Sequence, residues 1–310
     1  MSGDLLSRYP PGGGALRERA ARAPAGEADG RARGPEDQPV PILMYHAVTR
    51  SPAAATRALS VTPDAFAEQM AMVTAYGCTP LTTAQLATRW RTGRPLPPRP
   101  VLITFDDGYE GVHRHALPVL AELALPATVF VTTGWLRGLH EAGGAPDRML
   151  DWGQVRELAA AGVEIGGHSH THPQLDQLTP GRLATELAYC RELVDAELGA
   201  PPASFAYPFG YSDRRVRQAV RAAGYAQSLA VGNVPARRAQ GPYALRRVTV
   251  RRSTGPELFG RLLECRALTR AYAPDRALTR ALLVAAAAGV FLLTLDLWGP
   301  AYSFLHGPLP

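Results

Sequence analysis

Apolar and polar positions fall into two alternating rhythms along the chain. Short runs dense in apolar and β-branched residues recur at Ile42–His46, Val101–Phe105, Thr128–Thr132, Val163–Gly167, Ser204–Tyr207, Gln227–Val231 and Leu245–Val250. Each is too short for a core helix and reads as a buried strand. Helical patterns lie between most of them. Asp151–Ala161 and Pro180–Leu198 carry apolar residues at 3–4 spacing, and Thr62–Tyr76 opens on a Thr-Pro start signal. Ser212–Ala223 begins with a serine in capping position and stops at Gly224. Strands alternating with helices predict a parallel sheet joined by crossovers. Seven such units predict a closed or nearly closed β/α barrel, with its chemistry at the C-terminal ends of the strands.

The two ends break the rhythm. Residues 1–39 are rich in Pro, Gly, Ala and charge, with too little apolar surface to fold, and are expected to be a disordered tail. No apolar core of a signal peptide is visible there. At the other end an uncharged run from Ala281 to Leu295 covers 15 residues, short of the about 17–25 that span a bilayer. Asp296 interrupts it, and Leu297 and Trp298 extend it. Two readings stand: a terminal helix packed on the domain, or a membrane contact through residues 281–298. Arg266, Arg270, Arg276 and Arg280 precede the run. If it spans, they place the main domain on the cytoplasmic side. The expected division is 1–39 for the tail, 40–262 for the barrel and 263–310 for an extension with an apolar helix.

Composition changes this picture little. Hydrophobic residues make up 46% of 310, enough for a sizeable core. The net charge is +6 and every base is arginine. The arginines are scattered and no aromatic-interleaved basic face emerges, so no nucleic-acid partner is expected. Cys78, Cys190 and Cys265 lie far apart and are odd in number, which predicts neither a disulfide framework nor a cysteine metal site.

The polar residues that follow the strands carry the chemistry. His46 ends the first run, Asp106 and Asp107 the second, "HSHTH" (His168–His172) the fourth and "YPFG" (Tyr207–Gly210) the fifth. Three imidazoles within five residues, after two glycines and before Pro173, read as a loop able to face a metal. Two imidazoles and one carboxylate form a catalytic zinc-type set with a position left for water. One aspartate then completes the metal shell, and its neighbour takes a proton from the water. The competing reading makes the two aspartates caps of the next helix, which accounts for one of them better than for both.

"TFDDG", "HSHTH" and "YPFG", in this order and at these spacings, resemble the polysaccharide deacetylases with a NodB-type homology domain, over about residues 40–262. The resemblance implies a distorted (β/α)7 barrel and metal-dependent deacetylation of carbohydrate. It implies Asp106 as base and Asp107, His168 and His172 as ligands of one divalent ion, zinc or another first-row metal. Ser169 would steady the histidine loop. Phe209, after Pro208, would offer its backbone N–H to the oxyanion. His170 falls at a variable position.

Two departures matter. Many members carry an arginine where this chain has Ser204, and a late Leu-x-His motif that supplies the general acid; here the only histidine after "YPFG" is His306. "PILMYHAV" resembles the opening of the subgroup related to poly-β-1,6-N-acetylglucosamine deacetylases, which implies His46 as the acid. Arg247, with Arg246 as rival, would replace the missing arginine beside Asp106. Tyr109, Trp152 and Tyr211, and also Trp135, are candidate sugar-stacking platforms, with packing as the alternative. His113, His115 and His140 read as surface residues. The implied substrate is an amino-sugar polysaccharide that loses its N-acetyl groups, at the cell envelope. A lipid-linked sugar deacylated on the cytoplasmic side and an inactive carbohydrate-binding barrel are the alternatives. Loss of Asp106 or a metal ligand would mark the last, and all are present.

Overall fold

The computed structural model describes residues 38–266. Nearly all of the expected N-terminal tail, and the apolar run 281–298, lie outside the described residues. Among the described residues no helix is long and apolar enough to cross a membrane.

All seven expected strands form: β1 (Ile42–Tyr45), β3 (Pro100–Phe105), β4 (Thr128–Val131), β5 (Glu164–Gly167), β6 (Ser204–Ala206), β7 (Gln227–Val231) and β8 (Leu245–Thr249). Around the sheet the order is β1-β8-β7-β6-β5-β4-β3, and a β1–β3 pairing closes the ring. Every ladder is parallel, with Ile42 opposite Leu102 in β1–β3 and Leu229 opposite Leu245 in β7–β8. The chain is a seven-stranded parallel barrel. Four of the expected strands overran their ends, because His46, Thr132, Tyr207 and Val250 already belong to the loops at the C-terminal rim.

A further strand, β2 (Thr79–Leu81), was not foreseen. Leu102 pairs with both Ile42 and Leu81, so β2 shares the edge of β3 that β4 takes higher up. The sequence hides it because it is three residues long with a proline in the middle.

The helices are α1 (Pro63–Ala75), α2 (Thr83–Thr92), α3 (Leu117–Glu122, continuing a π turn over Val112–Ala116), α4 (Trp152–Ala160), α5 (Pro180–Leu198), α6 (Arg214–Ala222) and α7 (Pro256–Leu263). Local chemistry sets their starts. Thr62 accepts the Ala65 N–H at 3.2 Å, and Asp151 and Gln154 cap α4 reciprocally. The cap of α6 is Asp213, not Ser212: its carboxylate takes the Val216 N–H at 2.7 Å.

Ile42, Leu102, Phe130, Ala206, Leu229 and Leu245 form one buried cluster. Leu183, Leu187, Phe205, Val216, Val220 and Tyr225 form another, between strands and helices. The glycines before His168 have a packing role. A Cβ at Gly166 would meet the Phe130 ring at 2.5 Å, and one at Gly167 the Tyr225 hydroxyl at 2.6 Å. Their absence lets β5 lie close to both rings and deliver His168 to the rim.

Candidate active site

β3 ends where Asp106 and Asp107 emerge, both buried. Asp106 donates its N–H to the Tyr45 carbonyl at 3.0 Å. Asp107 has a φ of 74° and Gly108 one of 94°, so the chain turns sharply just after the strand. That turn sends the two side chains different ways.

Asp106 meets Arg247. The guanidinium donates Nη1 to Oδ1 at 2.6 Å and Nη2 to Oδ2 at 2.7 Å. Arg247 is fully buried inside the barrel, over the Phe130 ring, whereas Arg246 is exposed. Burial alone would raise the Asp106 carboxyl. Arg247 and then His168 outweigh it and hold the acid below its ordinary value. Ser204 lies with Thr83 and Glu164, bonded to both.

Asp107 faces the histidines. Its Oδ1 lies 3.3 Å from His168 Nε2 and 3.3 Å from His172 Nε2. The same Oδ1 is buried without a hydrogen-bond partner. Among the described residues Asp107, His168 and His172 form a set whose ligand atoms lie within 4.8 Å of one another. The tautomer of His168 is fixed from behind. Its Nδ1 lies 2.7 Å from the Ala206 carbonyl, which can only accept, so Nδ1 carries a proton and the neutral ring presents its lone pair at Nε2. Burial pushes the Asp107 carboxyl up, but the two imidazoles and His46 prevail and hold it well below its usual range. Burial likewise lowers His168, and Asp106 and Asp107 reverse this and draw it up. A field that draws a proton to Nε2 also draws a cation, and a buried, unpartnered carboxylate oxygen between two imidazoles suits a divalent ion.

The histidine loop is held against strain. Ser169 and His172 have φ of 65° and 59°. The His172 N–H donates to the buried Ser169 hydroxyl at 3.0 Å. The His172 ring lies stacked on Trp135 at 4.6 Å, with the Phe209 ring edge-on at 4.8 Å. His170 turns away: its Nδ1 sits 3.0 Å from the Thr133 hydroxyl and its ring packs on Tyr189. Among the described residues eight non-glycines have positive φ, and four of them, Asp107, Ser169, His172 and Phe209, fall at this site. Such residues persist only where the surroundings hold them, and they gather at functional sites.

His46 follows β1 on the same rim, half-buried, with Nδ1 enclosed and unpartnered. Burial lowers its pKa against the pull of Asp107 and Asp106. Pro208 is buried, while Phe209 and Tyr211 are 56% and 45% exposed at the mouth. The other platform candidates need correction. Tyr109 and Trp152 are buried, 4% and 6% exposed, which leaves neither ring a face for a sugar. Burial and the neighbouring Asp107 charge both push the Tyr109 phenol up. Trp135 is also enclosed and serves His172. Sequence reading missed Glu186 of α5, whose carboxylate bonds the histidine loop. The signal was present: an acid stands on the apolar stripe of α5 that Leu183, Leu187, Cys190 and Val194 form.

Comparison with known proteins fits this geometry. Residues 93–228 match the polysaccharide deacetylase family. Over that stretch the chain is similar to polysaccharide deacetylases. With the barrel and its site, the match makes it a hydrolase of the class that acts on carbon–nitrogen bonds other than peptide bonds. The YxkH protein of Bacillus subtilis is 29% identical over 225 residues, 73% of this chain and 76% of that one. Poly-beta-1,6-N-acetyl-D-glucosamine N-deacetylase of Escherichia coli is 32% identical over 135 residues, 41% of this chain. The chain spans 20% of that protein's length. Among solved structures, Streptococcus pyogenes deacetylase PplD in complex with acetate superposes with a TM-score of 0.66 at 26% identity, over 74% of this chain and 99% of that one. IcaB from Ammonifex degensii superposes with a TM-score of 0.62 at 25% identity, over 73% and 96%. His46 and Arg247 lie outside the stretch matched to the family; the barrel brings them in through β1 and β8.

Proposed function

We propose that this deacetylase domain removes N-acetyl groups from an amino-sugar polysaccharide of the cell envelope, with one divalent ion, zinc by ligand chemistry, held by Asp107, His168 and His172. The observation that carries this reading is the buried Asp107 Oδ1, unpartnered yet 3.3 Å from two imidazole Nε2 atoms, with Asp106 next to it in the chain and held by Arg247. A bound ion would supply Lewis acidity and lower the pKa of a water molecule.

The side chains divide the remaining work. Asp106, kept ionised by Arg247, accepts the proton of the attacking water. Arg247 also fixes the direction of both carboxylate oxygens. The Phe209 N–H donates to the developing oxyanion of the acetamide carbonyl. His46, in its protonated form, gives a proton to the leaving nitrogen. The proton taken by Asp106 balances the one His46 gives, and exchange with solvent restores both. Exposed Phe209 and Tyr211 offer ring faces to sugars beside the reacting one. The E. coli relative's name supports a glucosamine polymer as the substrate class. The lipid-linked alternative rested on residues outside the described part and gains no support. The direct test is acetate release from partially acetylated glucosamine polymers of different linkage. Release that needs the metal and stops in Asp106→Asn supports the reading, and no release from any of them counts against it.

A further inference from the structure

Glu186 lies on α5, sixteen residues beyond His170, among side chains that are otherwise apolar. It is buried, 7% exposed. Its Oε2 accepts the His170 N–H at 2.9 Å and the Thr171 N–H at 2.8 Å, and its Oε1 accepts the Thr171 hydroxyl at 2.6 Å. The residues it grips stand between the two imidazoles that face Asp107. On either side of the grip, Ser169 and His172 hold left-handed backbone that non-glycine residues adopt reluctantly. Left to its own preferences, this loop would relax and move one imidazole away from Asp107.

A buried acid on a helix needs a partner, and the partners here are backbone N–H groups that a loop in any other conformation would not present together. The Thr133 and Gly134 N–H groups hold the Ser169 and His170 carbonyls, and the Ser169 hydroxyl takes the His172 N–H. We infer that Glu186 is a positioning residue. By clamping the backbone between His168 and His172, it sets the spacing of the two imidazoles and hence the affinity of the site for a divalent cation. The inference rests on the proposed metal role of Asp107, His168 and His172.

Two substitutions separate reach from charge. Glu186→Gln keeps the length and can still accept both N–H groups on its oxygen while its amide faces the Thr171 hydroxyl. Glu186→Asp keeps the charge but withdraws it by one methylene. Zinc affinity of the metal-stripped proteins is measured by competition with a chromophoric chelator, alongside their melting temperatures. Outer-sphere partners of metal ligands typically control affinity by about 10- to 100-fold. The expected result is that Glu186→Asp loses affinity in that range, while Glu186→Gln stays within a few-fold of wild type at a similar melting temperature. Wild-type affinity in Glu186→Asp overturns the inference. So does a larger loss in Glu186→Gln, which would assign the effect to charge. Equal losses with equally lowered melting temperatures in both would make Glu186 a general stability residue. Failure of wild-type protein itself to bind zinc would overturn the metal reading and this inference with it, whereas zinc binding that is unchanged in Glu186→Asp would overturn this inference alone.

Discussion

At the scale of residues, two adjacent carboxylates have been given different environments. Asp106 is bidentate to a buried arginine and Asp107 is turned by a left-handed backbone toward two imidazoles. Asp106→Asn is expected to retain the metal and lose about 10²- to 10⁴-fold in rate, the usual worth of a general base. Asp107→Ala should lose the metal itself. Elemental analysis beside acetate kinetics checks both, and metal loss confined to the Asp106 variant would reverse the assignment. His46 admits a sharper contrast. An amine departs poorly without a proton, while an aryl oxide needs little. His46→Ala should lose most amide hydrolysis and be impaired far less on p-nitrophenyl acetate, provided the wild type accepts that ester. Equal losses on both substrates would point to water positioning instead. The linear sequence displayed these residues because each follows an apolar run. It could not display burial, so Tyr109 and Trp152 looked like platforms and prove to be packed.

At the scale of elements, strand spacing was legible throughout. A barrel strand buried on both faces is a continuous apolar run, and seven such runs appear as seven strands. What escaped was short or weakly patterned. β2 carries a proline, and α2 is mostly polar, starting from the Thr82–Gln85 capping box. Caps were half legible: Ser212 and Asp213 both suit the start of α6, and the carboxylate takes the Val216 N–H. Asp213→Ala is therefore expected to cost about 1 kcal/mol, and Ser212→Ala little, in paired denaturant titrations. The reverse order would return the cap to the serine. Glu186 escaped because spacing alone does not show that its place beside the apolar stripe is buried, where an acid demands a partner.

At the scale of the molecule, the site draws on six strands, five through their C-terminal ends and one through its middle: His46 after β1, Asp106 and Asp107 after β3, Trp135 after β4, the histidine loop after β5, Phe209 after β6, and Arg247 within β8. None of these pairings is local, so only the closed barrel assembles them. The arrangement ties stability to acidity. Asp106 and Asp107 both have carboxyls held below their ordinary value despite burial, by Arg247 and by the imidazoles respectively. A depressed carboxyl contributes its stability fully above its unfolded value, about 3.9, and loses it as pH falls through the folded one. The melting temperature of metal-stripped protein should therefore fall steadily as pH drops below about 4, and a flat profile down to about pH 2 would contradict these environments. The central claim, that the chain is a metal-dependent deacetylase of an amino-sugar polymer, is tested most directly by one assay. Metal-stripped protein is mixed with partially acetylated β-1,6-linked glucosamine polymer, and acetate is followed before and after addition of Zn²⁺. No release before addition and steady release after it is the predicted result; release at full rate from demonstrably metal-free protein would contradict the account.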